Sequence, residues 1–97
     1  KRVQRVLSGP KRNIFFLQRY KNRQTLLDLD ITLEDVYSLL NSLEVNEYSK
    51  GPEDDLDGST GEVIVFNKQY NKKEVYIKVK LFKVQDEECL KIISFHT

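Results

Sequence analysis

Ninety-seven residues with a net formal charge of +1 suit one domain, taken as 1–97, whose small core leaves no room for a large ligand cavity. No stretch approaches the roughly 20 apolar residues that span a bilayer, and the opening KRVQRVLSGP lacks the apolar run of a signal peptide, so a cytoplasmic protein with no membrane partner is expected. Cys89 is the single cysteine, which excludes an internal disulfide; neither it nor the single histidine, His96, has neighbours at metal-ligand spacing, so neither a metal nor another cofactor is expected.

The chain opens on a basic arm, with eight Lys or Arg and no acid in residues 1–23. Residues 28–57 reverse the balance, with ten Asp or Glu against Lys50, and the last forty residues are lysine-rich again. Such segregation favours phosphate or an acidic partner at the basic parts, although it also suits a merely solvated surface. The chain holds no methionine, so its natural start is expected upstream of Lys1 or to have been processed away.

From Asn13 to about Asn22, Ile14, Leu17 and to some extent Phe15 and Tyr20 fall at helical spacing, which predicts a first helix. Gln24–Leu29 is short and apolar and fits either a strand or a helical turn. Thr32 followed by Asp35 resembles a capping box, and Leu33, Val36, Tyr37, Leu40 and Leu43 then share one face, predicting an amphipathic helix that covers one side of a sheet. Residues 50–61, KGPEDDLDGSTG, read as a loop. Its acids fail as a calcium site, because taking Gly58 as the turn glycine puts Ile64 where an EF-hand needs its glutamate. A loop that caps the sheet, or repels misplaced phosphates, is the better reading.

Beyond the loop the period changes to two. EVIVF (62–66), KEVYIKVKLFKV (73–84) and CLKIISFH (89–96) predict three strands, joined near Asn71-Lys72 and Gln85-Asp86-Glu87 as an antiparallel meander. Helices first and strands afterwards make an α+β fold class with N-terminal helices packed on one face of a twisted antiparallel sheet. In the middle strand Val75, Ile77, Val79 and Leu81 point to the core, while Tyr76, Lys78, Lys80 and Phe82 point away. Alternate side chains lie about 7 Å apart along a strand, so Tyr76, Lys78 and Lys80 could follow a phosphodiester backbone. The same lysines would equally serve to discourage edge pairing and aggregation.

Metal-free RNA cleavage is one chemistry that these residues could do. It needs a base for the ribose 2′-hydroxyl, positive charge against a phosphorane, and an acid for the leaving 5′-oxygen. Lysines supply the charge, and a tyrosine can stack on a base for about 1–3 kcal/mol. Histidine is the residue type that exchanges protons near neutral pH, so His96 is the candidate acid or base, set against the plainer reading of an exposed terminal histidine. Alternation puts Ser94 and His96 on the face opposite Ile93 and Phe95. Cys89 reads as a small core hydrophobe.

The segments LLDLDITLEDVYSLLNSL, YSKGPEDDLDGSTGEVIVF, EVYIKVKLF and IISFH, in this order and spacing, resemble the MqsR family of toxin–antitoxin ribonucleases. The resemblance covers about Phe16 to His96 and is most specific in KGPE with the following GEVIVF, and in VYIK with the terminal ISFH. It implies a RelE-like small domain and an endoribonuclease toxin that cuts mRNA without a metal and stops growth by halting translation. It also implies a cognate antitoxin with a helix-turn-helix DNA-binding domain, operator DNA being reached only through that partner.

Family positions map onto this chain as follows. The tyrosine of the VY-K strand falls on Tyr76, with Lys78 two residues on. The lysine after the helix-ending tyrosine falls on Lys50, after Tyr48 with Ser49 inserted. A position that is glutamine in some members corresponds to Asn67 or Lys68, of which Lys68 is favoured. The last position, lysine in some members, is His96 here, which leaves the proton donor open. The implied catalytic set is thus Tyr76, Lys78, His96, Lys50 and Lys68, with Lys80, Phe66 and Asn67 in RNA binding. The rival expectation is a non-catalytic RNA-binding or translation-regulating module that uses the same basic face.

Overall fold

The computed structural model describes residues 2–43, 47–54 and 61–97, apart from the side chains of residues 11, 50 and 52–54. Among them are helices α1 (Arg2–Leu7), α2 (Tyr20–Leu29) and α3 (Leu33–Asn41). The strands are β1 (Ile14–Phe16), β2 (Tyr48–Asp54), β3 (Glu62–Tyr70), β4 (Lys73–Val84) and β5 (Glu87–His96). The fold is α+β, with a five-stranded sheet in the order β1-β5-β4-β3-β2.

The meander forms as expected: β3, β4 and β5 are antiparallel neighbours joined by two-residue turns. Asn71 and Lys72 carry φ of 49° and 66°, and Gln85 and Asp86 carry 50° and 68°, the positive-φ pairs whose twist matches a hairpin. The sheet is mixed rather than wholly antiparallel, because β1 runs parallel to β5 on its far edge, with Ile14 beside Leu90 and Phe16 beside Ile92.

Two segments depart from the expectation. Ile14, Phe15 and Phe16 form a strand rather than the start of a helix: Ile14 is buried and Phe15 exposed, the alternation of a strand edge, and pairing with β5 outweighs the helical spacing. The helix starts later, at Tyr20, and absorbs Gln24–Leu29. The opening of the expected 50–61 loop is instead strand, since β2 runs to Asp54 with register shifts on both sides of Lys50. Residues 55–60 lie outside the described residues.

Helix α3 forms as its sequence pattern predicts. Thr32 and Asp35 form the reciprocal capping box, and Val36, Leu39 and Leu40 are buried. They meet Val75, Ile77, Val79 and Leu81 of β4 and Leu90, Ile92 and Phe95 of β5 in one core, joined by Val3 and Val6 of α1. This core occupies one side of the sheet; on the other side Val63, Val65, Lys80, Cys89 and Ser94 are buried as well. No helix among the described residues is long and apolar enough to cross a membrane.

One device positions the end of β5. Opposite Lys78 and Val79, β5 carries an extra residue, so that Lys78 faces Ser94 while Val79 faces Ile92. Ile93 is the bulged residue. Without it, strict alternation would send His96 to the same side as Leu90 and Ile92. With it, Phe95 enters the core and His96 emerges beside Tyr76. The buried Asn22 side chain secures this point from α2, where β1 has ended: its Nδ2 donates to the Ile93 carbonyl at 2.9 Å and to the Leu17 carbonyl at 3.0 Å, and its Oδ1 accepts from Phe95 N–H at 3.0 Å.

Candidate nucleic-acid interface

Directly opposed residues of neighbouring strands share a face, so the register defines the surface that faces away from the helices. Its first row is Asn67, Tyr76 and His96. The second is Val65, Lys78 and Ser94, and Lys50 stands at the β2 register position across from Val65. The third is Val63, Lys80, Lys91 and, on β1, Phe15. Phe82 and Cys89 form the fourth.

Tyr76 and His96 are in ring contact, with centroids 5.2 Å apart and planes tilted by 31°. Both side chains are half-buried, as are Lys78 and Asn67. A phenol, an imidazole and an ammonium group therefore stand within two adjacent rows of a rigid sheet, with a carboxamide beside them. Such an arrangement can grip a phosphate, move a proton and present an aromatic face to a base.

The candidates do not all share this surface. Lys68 lies opposite Val75, on the helix side of the sheet, and its Nζ pairs with Glu47 Oε2 at 2.9 Å. Phe66 lies opposite Ile77, packs against the core and meets Tyr48 edge-on at 6.1 Å between centroids. Period two forces this outcome, because neighbours of Asn67 must point away from it. Lys80 is on the proper face but only 5% exposed, so the expected pair of presented lysines reduces to Lys78. Gly61 packs against the Lys80 stem: at φ 124° an added Cβ there would stand 2.8 Å from Lys80 Cε. Cys89 is buried as expected, although it lies beside Phe82 and outside the main core.

Four further residues that shape or support this face were not singled out from the sequence as candidates. Phe15, Phe82 and Lys91 form an aromatic and cationic group on the same face, with ring centroids 6.0 Å apart and Lys91 Nζ 5.5 Å from the Phe82 centroid. Lys91 and Phe82 were readable from strand alternation, but Phe15 required a three-residue strand to be recognised. Asn22 gave no signal, since its role depends on a bulge 71 residues away. In comparisons with known proteins, no family model, no curated protein and no solved structure matches the chain.

Proposed function

We propose that the chain is an endoribonuclease toxin of the MqsR type, with a RelE-like domain, that cuts mRNA without a metal in the cytoplasm. A cognate antitoxin with a helix-turn-helix domain holds it in check and carries it to operator DNA. The observation that supports this reading most is the contact between the half-buried Tyr76 and His96 rings, with the half-buried Lys78 in the adjoining row of the same sheet face.

In this reading the Lys78 ammonium and the Tyr76 hydroxyl hold the non-bridging oxygens of the scissile phosphate. The ribose 2′-oxygen loses its proton to a base and bonds to phosphorus, the bond from phosphorus to the 5′-oxygen breaks, and that oxygen takes a proton from His96. The products are a 2′,3′-cyclic phosphate and a 5′-hydroxyl. Lys78 acts where charge accumulates in the phosphorane, and a preorganised cation does so without reorganisation at the moment of reaction. Lys50 of β2, opposite Val65 in register, assists the step. Lys68, paired with Glu47 on the helix side, has no part in the step.

The test is incubation of the purified protein with labelled single-stranded mRNA in excess EDTA, beside Tyr76→Phe, Lys78→Ala and His96→Ala variants. Cleavage that ends in cyclic phosphate and is lost in the variants establishes the enzyme. A 3′ end free of phosphate sinks the mechanism, and RNA that is bound with salt-dependent affinity but left intact favours the non-catalytic binding module.

A further inference from the structure

Six residues along β4 from Tyr76, the same face carries a second aromatic position. Phe82 and Phe15 are paired at 6.0 Å between centroids, and Lys91 sits 5.5 Å over the Phe82 ring. Phe15 is 44% exposed on the edge strand of the sheet. An aromatic ring held in water on an edge strand, by strand pairing and a second ring, leaves apolar surface uncovered next to a fixed cation. That combination fits a flat π-system attached to an anion.

We propose that Phe15, Phe82 and Lys91 form a base-binding subsite for single-stranded RNA, in which an unpaired base stacks on Phe15 and Lys91 takes an adjoining phosphate. The inference rests on reading this face as an RNA-cleaving surface, and it names the substrate as unpaired RNA. Six strand residues span about 20 Å, so the two aromatic positions are separated by several nucleotides of an extended chain. Lys78 lies between them on the same face and gives the backbone one cation on the way from one aromatic position to the other. A duplex cannot satisfy the subsite, because its bases are stacked on one another and reach protein only by their edges.

The chain has no tryptophan, so Phe15→Trp places one fluorophore at the subsite. The probe is a mixed-sequence oligoribonucleotide with 2′-O-methyl groups, which cannot be cut, alone and annealed to its complement. The single strand should quench the Phe15→Trp protein saturably and the duplex should not. By anisotropy of the labelled probe, Phe15→Ser and Lys91→Gln should each weaken binding about tenfold, and Phe15→Trp should retain it. Unquenched fluorescence, equal quenching by the duplex, or Phe15→Ser affinity within twofold of the parent overturns the subsite.

Failure of the nuclease reading is distinguishable. Quenching and the tenfold losses, with no cleavage of 2′-hydroxyl RNA, keep the subsite and overturn the enzyme. Cleavage with unchanged Phe15→Ser affinity does the reverse. Absence of any RNA binding overturns both.

Discussion

Phe95 N–H donates to Asn22 Oδ1 at 3.0 Å inside the protein, and the same carboxamide donates to the Ile93 carbonyl at 2.9 Å. A side chain thus stands in for the backbone of a neighbouring strand just where β1 has ended. Asn22 is 1% exposed, so its removal would strand a buried N–H and a buried carbonyl without water to replace it. Asn22→Ala should cost about 3 kcal/mol and lower Tm by more than about 10 °C. Asn22→Asp should be no milder, because a carboxylate would face the Ile93 and Leu17 carbonyls. Urea denaturation of both variants checks this, and a loss under about 1 kcal/mol would mean that the bulge holds itself.

The catalytic assignments make a contrast within lysines of one sheet. His96→Ala should reduce cleavage about 10²–10⁴-fold, the range for a positioned acid or base, and Lys78→Ala should reduce it to a similar degree. Lys68→Ala should leave turnover within about twofold, because its partner is Glu47 on the other face. Its cost falls on stability, at about 1 kcal/mol or less for a partly exposed pair. Initial rates on one RNA substrate decide the matter, and a large Lys68 effect would contradict the placement.

The meander, its two turns and the α3 capping box were legible because each depends on local pattern: alternation over ten residues, a two-residue connection, or Thr32 three positions before Asp35. The face shared by Tyr76 and Lys78 followed from the same alternation. What could not be read depends on partners distant in sequence. Ile14–Phe16 is a strand only because β5 is beside it, and Gly51 and Gly61 matter only for what their backbones approach. His96 reaches its face through a bulge that period-two counting omits; alternation with Phe95 gives its side, whereas counting from Leu90 does not. Lys68 and Phe66 flank Asn67 in sequence, so strand alternation sends both to the helix side of the sheet.

Gly51 has φ 101°, and an added Cβ would collide with the Val63 carbonyl oxygen. Gly51→Ala should therefore cost about 2–3 kcal/mol and push β2 away from β3. Because Lys50 precedes it, cleavage should fall beyond what the residual folded fraction explains. Rates corrected for folded fraction by circular dichroism provide the check.

The turns offer a change in the other direction. Lys72 and Asp86 occupy left-handed conformations at φ 66° and 68°, which glycine adopts without a Cβ penalty. Lys72→Gly and Asp86→Gly should each stabilise the protein by about 0.5–1 kcal/mol, creating in the first case the Asn-Gly pair favoured in such hairpins. A lower urea midpoint would refute the turn geometry.

The place of β1 has a consequence for biosynthesis. Ile14 finds its partner in Leu90, so the earliest strand must wait for the last one to be made. During translation the meander can zip by short closures, while the basic arm and Phe15 remain outside the sheet. Docking of β1 is then the closing event of folding, and it is the step that completes both the far edge of the sheet and the Phe15–Phe82 ring pair.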